Sequence, residues 1–408
     1  MVACQPIWKF LIIMEYIFKK EHIEHLCSHQ KLSCLESFKN CRSDDNNIYI
    51  PFQDKNYCCN DMIDKVASSN IHCISFFSGC GGLDIGTQMA GTKIISSLDF
   101  EPAAISTLKA NPFFQFSQHH CEDIRNISAS FYSKCLRDNN PEKLILVGGP
   151  PCQPFSKAGY WITNDKRQAS NDERNMVGEY LRLIEEIRPD GLLLENVESI
   201  LHPTNKAAVE LIENTLSRLG YSFIRVLANA TRYGIPQKRK RVIFIASLNN
   251  TINELPTVLS DEEADKVNVL NWIGRFDTND LIEQEESVVG KTYSLELSEV
   301  PPGHNYIALS ARDGFPNPKF VANKRFWNFL LKLHPLLPSW TIAAQPGPWV
   351  GPFHWNNRRL RVREVASIQT FPVDYIFTGT RRAIQKQIGN AVPPLLGQKM
   401  VEHLLKFI

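Results

Sequence analysis

The chain has 408 residues and 43% hydrophobic content, enough for two or three domains with a sizeable core. Its formal net charge of +2 excludes a globally basic nucleic-acid-binding protein, so a nucleic-acid partner would require local basic patches. The eleven cysteines have no regular spacing and no secretory signal is recognisable, which argues against a disulfide framework and predicts reduced thiols in a cytoplasm. The apolar segment Trp8–Phe18 is too short to span a bilayer.

Residues 1–69 are an N-terminal extension of unknown role. Their histidines and cysteines include no C-x-x-C pair and no paired histidine element, so the spacing argues against a zinc site, and no metal is expected elsewhere. The alternatives are a loosely ordered extension and a translation start at Met62.

The first readable strand is Ile71–Phe77, and it runs into the sequence Phe77-Ser-Gly-Cys-Gly-Gly82 and a helix that continues through Met89. A glycine turn that follows a strand and opens a helix is typical of a nucleotide cradle. Asp84 occupies the position of the third glycine in the dinucleotide fingerprint, which indicates a different adenosine-containing cofactor.

A second strand, Lys93–Leu98, ends at Asp99 and Phe100. An acid at this strand end is suited to ribose hydroxyls, and the ring of Phe100 could stack on adenine. A helix-capping acid and a core aromatic residue are the alternatives. Asp123, after a short third strand, could accept a hydrogen bond from an exocyclic amine.

A buried strand, Leu144–Val147, leads through Gly148 and Gly149 to Pro150, Pro151 and Cys152. Open α/β sheets place their chemistry just beyond the carboxyl ends of such strands. The thiol of Cys152 is therefore a candidate nucleophile, although a buried cysteine is often only a small core residue. The polar segment Lys157–Asp172 has the length of a lid.

The amphipathic helix Arg174–Arg188 precedes the strand Gly191–Val197, which carries Glu195 near its end. We expect this carboxyl group to be partly desolvated and able to act as a general acid, with a helix N-cap as the alternative. A helix at Asn205–Leu219 and two paired strands, Tyr221–Ala228 and Arg241–Ala246, follow. Alternation would place the guanidinium groups of Arg239 and Arg241 on one face, where they could bind a phosphate or Glu195. A solvated basic turn is the alternative.

Residues from about 250 to 340 have a different character, with irregular segments rich in Pro, Asn and Ser, and they predict a separate, smaller domain. Aromatic residues between Trp340 and Trp355 precede the arginine cluster Arg358–Arg363, a combination that suits a nucleic-acid groove. A small β-rich core with a solvated rim is equally consistent with the composition. The chain ends with a final helix.

Six motifs in this order resemble those of the DNA (cytosine-5)-methyltransferases, and of the bacterial restriction-modification enzymes in particular. They are the glycine turn at Phe77–Gly82, Gly149-Pro-Pro-Cys-Gln-Pro-Phe-Ser156, Glu195-Asn-Val197, Gln237-Lys-Arg-Lys-Arg241, the segment Arg359–Pro372 and Gly389-Asn-Ala-Val-Pro-Pro394. The resemblance covers the chain from about residue 70 to its end. It implies a Rossmann-like α/β fold for a catalytic domain, 70–250, with helices on both faces of the sheet, and a smaller, irregular β-rich target-recognition domain, 251–372. It also implies that residues 373–408 return to the catalytic domain and complete it with a C-terminal helix.

The resemblance implies methyl transfer from S-adenosylmethionine to carbon 5 of a cytosine that is flipped out of a specific duplex DNA sequence. Cys152 would be the nucleophile, Glu195 would act at N3 of the base, Arg241 would hold Glu195 and O2, and Arg239 would support the catalytic loop or bind a phosphate. The residues implied for the cofactor are Phe77, Ser78, Gly79, Gly81, Gly82, Asp99, Phe100, Asp123, Ile124, Pro151, Met176 and Asn390. Those implied for DNA are Gln153, Ser156, Gln237, Arg358, Arg359 and Arg361.

A monomeric bacterial cytoplasmic enzyme that protects its host DNA from a cognate restriction endonuclease fits this pattern best. A tRNA cytosine methyltransferase of the same fold is the alternative enzyme, although the long recognition region disfavours it. A catalytically silent DNA-binding protein is disfavoured because Cys152, Glu195, Arg239 and Arg241 are all present.

Overall fold

The computed structural model describes residues 13–20, 38–151, 175–321 and 326–408. Their strands in chain order are β1 (Ile13–Lys19), β2 (Arg42–Ser43), β3 (Asn47–Gln53), β4 (Ile71–Phe76), β5 (Lys93–Asp99), β6 (Gln118–Cys121), β7 (Lys143–Gly148), β8 (Gly191–Val197), β9 (Ser222–Asn229), β10 (Gln237–Lys238), β11 (Lys240–Ser247) and β12 (Ser339–Trp340). Their α-helices are α1 (Ile63–Ala67), α2 (Gly82–Met89), α3 (Pro102–Lys109), α4 (Ser133–Asn139), α5 (Met176–Ile187), α6 (Lys206–Arg218), α7 (Asp261–Asp265), α8 (Leu270–Ile273), α9 (Ser294–Glu299), α10 (Val362–Ile368), α11 (Arg381–Asn390) and α12 (Pro394–Leu404).

The chain divides into two compact units. The seven-stranded unit consists of Cys58–Tyr233, Arg239–Ser260 and Asp374–Ile408, and the three-stranded unit of Met1–Tyr57, Gly234–Lys238 and Asp261–Val373. The chain returns to the seven-stranded unit at Asp374, one residue after the predicted start of the return segment at residue 373. Of the predicted N-terminal extension, 1–69, the described residues up to Tyr57 cluster with the three-stranded unit, and those from Cys58 onward cluster with the seven-stranded unit.

A mostly parallel sheet with the strand order β6-β5-β4-β7-β8-β11-β9 forms the centre of the seven-stranded unit. Only β11 runs antiparallel to its neighbours, β8 and β9. The structure therefore has the predicted Rossmann-like α/β architecture, in which parallel strands place their carboxyl ends at one edge. The predicted strand pair before and after the basic motif corresponds to β9 and β11.

The local sequence explains β7 and α5, the elements that precede and follow the segment containing Cys152. Leu146 and Val147 of β7 are fully buried because both faces of this central strand are covered. Helix α5 begins where the Asn175 side chain accepts the N–H of Gly178, and it ends at Arg188, whose φ is 54°, immediately before Pro189. Its apolar face buries Tyr180 and Ile184 in the core of this unit.

The three-stranded unit contains a sheet with the order β1-β3-β2. Phe18 of β1 and Ile50 of β3 are buried, so the described part of the N-terminal segment contributes to the core of this unit. The remainder is largely irregular and has a second apolar cluster around Leu297, Tyr306 and Phe353. The described part of the extension is therefore packed, in contrast to the expected loosely ordered segment.

Among the described residues, no helix is long and apolar enough to cross a membrane. Six described cysteines carry free thiols, as the composition predicted. Cys58 departs from that prediction because it is disulfide-bonded in the structure.

Candidate active site

The glycine turn between β4 and α2 depends on three residues with left-handed backbone conformations. The φ angles are 54° at Phe77, 54° at Gly79 and 82° at Gly81. A Cβ atom at Gly81 would lie 2.6 Å from a methyl carbon of Leu108, so both the backbone angle and the packing require glycine. The turn delivers the chain directly to the N-terminus of α2, as the sequence predicted.

Asp99, at the end of β5, fixes this turn from the neighbouring strand. Its Oδ2 accepts the N–H of Gly79 at 2.8 Å, and its Oδ1 accepts the N–H of Glu101 at 2.9 Å. Burial raises the pKa of Asp99, whereas these two hydrogen bonds act in the opposite direction. The carboxylate therefore organises the cradle as well as lying beside it.

A cleft of 760 Å³ opens above the turn and the neighbouring strand ends. Eleven of the twelve predicted cofactor residues line it: Phe77, Ser78, Gly79, Gly82, Asp99, Phe100, Asp123, Ile124, Pro151, Met176 and Asn390. Gly81 is the exception, because it packs against Leu108 and Phe114 below the turn. A cleft of this volume falls within the range of ordinary small-molecule sites.

Asp123 and Phe100 differ in their freedom to contact a ligand. Asp123 forms an ion pair with Arg125 at 2.5 Å, and this neighbour lowers the pKa of the carboxyl group. Phe100 keeps 72% of its surface exposed, so its ring is not a core aromatic residue. The core alternative for Phe100 is thereby excluded.

Asp84 is a buried acid beneath the cradle whose structural role the sequence did not reveal. It accepts hydrogen bonds from the hydroxyl groups of Ser75 at 2.6 Å and Ser97 at 2.9 Å, which belong to β4 and β5. Burial raises its pKa to about 6. The serines within these two buried strands were the only signal that a polar partner lay between them.

Glu195 and Arg241 meet in the same cleft. Glu195 lies opposite Ile243 in the antiparallel pair of β8 and β11, so Arg241, two residues away, is its diagonal neighbour on the same face. Arg241 Nε lies 2.7 Å from Glu195 Oε1, and both side chains are largely buried. A Cβ atom at Gly149 would lie 3.1 Å from Glu195 Oε2, so a glycine leaves room for this carboxylate.

The loop that follows β7 is held against the end of β8. Asn196 Nδ2 donates to the carbonyl oxygen of Pro150 at 3.2 Å, and Pro151 lines the cleft. The next residue in the chain is the predicted nucleophile, Cys152. Cys152, Gln153, Ser156 and the expected lid Lys157–Asp172 lie outside the described residues.

Arg239 has partners different from those of Arg241. Its guanidinium group is buried and donates to the carbonyl oxygens of Gly389 at 3.2 Å and Ala391 at 2.8 Å. Burial and the nearby charge of Arg241 lower the pKa of Arg239. Arg239 therefore anchors the segment that carries Asn390 into the cleft.

Gln237 is fully buried in the three-stranded unit, which differs from its predicted contact with DNA. Its Nε2 donates to Gln369 Oε1 at 2.5 Å, and its Oε1 accepts the N–H of Ile342 at 3.2 Å. These bonds join the start of the basic motif to the segment after α10, through Gln369, and to the segment after β12, through Ile342. Gln237 is thus a structural residue.

The predicted DNA contacts of Arg358 and Arg361 are also corrected by their burial. Arg358 pairs with Glu364 through two nitrogens at 2.8 and 2.7 Å and with Asp277 at 2.7 Å. Arg361 pairs with Glu286 at 2.5 Å. Internal carboxylates already pair with both guanidinium groups, so neither Arg358 nor Arg361 offers an unpaired charge to a DNA phosphate.

Arg359 is half-buried, and its Nη2 donates to the carbonyl oxygen of Pro348 at 3.1 Å.

Asp277, His354 and Glu364 lie close enough to hold a metal ion. However, Arg358 already provides positive charge to both carboxylates, which suits a structural ion-pair network.

Sequence comparison relates this chain to known enzymes. Residues 71–406 match the model of the C-5 cytosine-specific DNA methylases. The chain is 36% identical over 367 residues to the type II methyltransferase M.SacI of Streptomyces achromogenes, covering 82% of this chain and 92% of that relative. It is 32% identical over 363 residues to M1.HphI of Haemophilus parahaemolyticus, covering 86% of this chain and 91% of that relative.

Solved structures show the same fold. A prophage-encoded DNA modification methyltransferase of Escherichia coli superimposes with a TM-score of 0.58 at 21% identity, over 83% of this chain and 99% of that one. The Dnmt2 methyltransferase of Schizosaccharomyces pombe superimposes with a TM-score of 0.52 at 18% identity, over 82% of this chain and 98% of that one. The family match spans nearly all of the seven-stranded unit, including its cleft, and the chain belongs to the C-5 cytosine-specific DNA methylases, the DNA cytosine-5-methyltransferases of restriction-modification systems.

Proposed function

We propose that the chain transfers a methyl group from S-adenosylmethionine to carbon 5 of a cytosine within a specific double-stranded DNA sequence. The observation that carries this proposal is the Glu195–Arg241 ion pair, which lines the same cleft as the glycine turn. Pro151, which immediately precedes Cys152, lines that cleft as well. A nucleophile, an acid and a cofactor cradle can therefore act on one bound base.

The residues of the cleft fit S-adenosylmethionine. The Asp99 carboxylate suits ribose hydroxyls, the exposed ring of Phe100 suits the adenine, and Asn390 adds a polar group beside the glycine turn. The unusual aspartate in place of the family's more common glutamate shortens the reach to the ribose. S-adenosylmethionine, when bound, supplies an electrophilic methyl group.

The chemistry requires carbon 5 of cytosine to become nucleophilic. In our proposal the Cys152 thiolate adds to carbon 6, forming a C–S bond, while Glu195 donates a proton to N3 and Arg241 binds O2. The electron pair of the ring double bond then becomes available at carbon 5. After methylation, loss of the carbon-5 proton to a base and of the N3 proton to Glu195 restores the ring, as the C–S bond breaks and the thiolate leaves.

Arg239 acts as a positioning residue in this scheme. Its two hydrogen bonds to Gly389 and Ala391 fix the backbone on both sides of Asn390. No carboxylate among the described residues forms an ion pair with this buried guanidinium group, and such burial is costly, which favours a role in the placement of this segment.

The target carbon is inaccessible inside a duplex, so the cytosine must leave the helix before it can react. We assign Gln153, Ser156 and the closing segment Lys157–Asp172 to this step, and recognition of the target sequence to the three-stranded unit. The enzyme is proposed to work as a monomer in a bacterial cytoplasm. There it would protect host DNA from an endonuclease of the same specificity.

The function can be tested with radiolabelled S-adenosylmethionine, plasmid DNA and bulk tRNA as alternative substrates. We expect label to enter plasmid DNA and nucleoside analysis to identify 5-methylcytosine. Asp99→Ala should weaken cofactor binding, measured by calorimetry, whereas Glu195→Gln should leave that binding largely intact. Labelling of tRNA but not of DNA, or a product other than 5-methylcytosine, would refute the proposal.

A further inference from the structure

The short parallel pair of β10 and β12 separates an inward face from an outward face in the three-stranded unit. Gln237 and Ser339 are fully buried, whereas the residues that follow them, Lys238 and Trp340, point away from the core. The register pairs Lys238 with Trp340 directly. Strand alternation therefore places a cation and an aromatic ring side by side on the surface.

Lys238, Trp327 and Trp340 form a cluster that we name the tryptophan patch. The Nζ of Lys238 lies 4.6 Å from the ring centroid of Trp340, and the two tryptophan rings meet edge to face at 4.9 Å. Trp327 remains 41% exposed and Trp340 38% exposed. Exposed tryptophans are uncommon on a surface without a partner, because each leaves a large apolar area in water.

The charge of the patch indicates the kind of partner. Among the described residues, no carboxylate pairs with Lys238, whereas the neighbouring Lys240 pairs with Glu198 at 3.3 Å. An unpaired ammonium group beside aromatic faces suits a polymer that presents both phosphates and π-systems, and nucleic acid has both. Lys238 also lies three residues before Arg241 in the sequence.

We propose that the tryptophan patch is a DNA-contact surface, in which Lys238 neutralises a backbone phosphate and the tryptophan rings stack on an unstacked base. This inference rests on the proposed function, since extrusion of a cytosine interrupts the base stack and leaves neighbouring bases without a partner. Aromatic stacking on such bases is sequence-tolerant and adds to phosphate contacts. The patch would favour the distorted form of the DNA over the undistorted duplex.

The test measures binding of the full-length protein to a 30-base-pair random-sequence duplex, with and without a central mismatch, over a range of salt concentrations. Lys238→Ala should reduce the slope of log K against log salt by about 0.9, the value for one phosphate contact, and Lys238→Arg should preserve it. Trp340→Leu should keep the slope but lose about tenfold in affinity for the mismatched duplex. Trp340→Phe should retain most of that affinity.

The matched control is a second lysine–aromatic pair on the seven-stranded unit, in which Lys93 Nζ lies 5.5 Å from the ring centroid of Phe116. Lys93→Ala and Phe116→Leu should leave both the salt slope and the mismatch preference unchanged. Unchanged slope and affinity in folded Lys238→Ala and Trp340→Leu proteins would overturn the inference. Because DNA binding is measured without methylation, a failure of methyl transfer in the wild type remains distinguishable from a failure of the patch.

Discussion

Glu195 and Arg241 are held together by the pairing of β8 and β11, with 2.7 Å between Glu195 Oε1 and Arg241 Nε. If Glu195 donates a proton to the base, Glu195→Gln should lower the single-turnover rate of methyl transfer by about 10²- to 10⁴-fold, the usual contribution of a positioned acid. Arg241→Ala should also lower this rate, because the carboxylate loses the group that orients it. Rapid-quench measurement with saturating cofactor would quantify both effects.

A neighbouring ion pair, between the first residue of β11 and the residue that follows β8, supplies the control. Lys240 lies 3.3 Å from Glu198, and both side chains are about half exposed. Glu198→Gln should leave the transfer rate within about twofold of the wild type, since an exposed pair contributes little to stability or orientation. Equal rates for Glu195→Gln and Glu198→Gln would remove Glu195 from the proposed chemistry.

Arg358 provides a test of the ion-pair network in the three-stranded unit. Arg358→Ala leaves Glu364 buried without its partner, and breaking a buried pair in this way costs about 3–5 kcal/mol. Urea denaturation should show this loss, and Arg312→Ala, an exposed arginine of the same unit, should change the free energy of unfolding by less than about 0.5 kcal/mol. A stable Arg358→Ala protein with a reduced salt slope in DNA binding would instead restore the original prediction of a phosphate contact.

The partner of Arg241 was predictable from the sequence, whereas those of Arg358 were not. Arg241 and Glu195 were predictable as partners because strand ends and alternation determine where such side chains point. Arg358 and Arg361 resembled a basic patch, and only the Arg358–Glu364 pair is local, because Asp277 and Glu286 precede their arginine partners by 81 and 75 residues. Nothing in the local pattern of an arginine reveals a partner that only tertiary packing brings close.

Tyr16 tests whether the N-terminal segment is an integral part of the three-stranded unit. Its hydroxyl group donates to Asp277 at 2.6 Å and accepts the indole N–H of Trp355 at 2.8 Å. Tyr16→Phe should therefore lower the free energy of unfolding by about 1–3 kcal/mol, because buried polar groups lose their partner. The loss of residues 1–61 should prevent this unit from folding, as judged by limited proteolysis.

Tyr49→Phe is the corresponding control, since the Tyr49 hydroxyl bonds to Asp44 at an exposed position. This variant should change the free energy of unfolding by less than about 0.5 kcal/mol. A protein that starts at Met62 and retains wild-type stability and activity would show that the segment is dispensable.

Asp84 gives a prediction for the pH dependence of stability. Its pKa of about 6 in the folded chain exceeds the ordinary value of 3.8, so between these values the folded state binds a proton that the unfolded state has released. The contribution of protonated Asp84 to the free energy of unfolding is fully present below pH 3.8 and is lost as the pH rises through about 6. Across that interval the loss amounts to about 3 kcal/mol.

Urea denaturation of the wild type and Asp84→Asn at several pH values would measure this effect. The variant cannot ionise at this position, so its free energy of unfolding should fall less between pH 4 and pH 7 than that of the wild type, by up to about 3 kcal/mol. The exposed Asp138→Asn variant should reproduce the wild-type dependence. Parallel curves for Asp84→Asn and the wild type would contradict the assignment.

The sheet was largely predictable from the sequence, whereas the three-stranded unit was not. Strands β7 and β8 each contain a continuous apolar run next to turn signals, Leu144–Val147 and Leu192–Leu194, so a short-range pattern defines them. Segment β1 pairs with β3 across more than two dozen intervening residues, and its buried Phe18 is interspersed with exposed Ile13 and Ile17. Such an element is stabilised by non-local contacts that a local pattern does not record.

The central claim is that this chain methylates carbon 5 of cytosine through Cys152. Bisulfite sequencing of plasmid DNA from cells that express either the wild type or Cys152→Ser tests it most directly. We predict that the wild type protects one cytosine of a short recurrent sequence from conversion, and that Cys152→Ser protects none while still binding S-adenosylmethionine. Complete conversion with the wild type, or equal protection by both proteins, would contradict the claim.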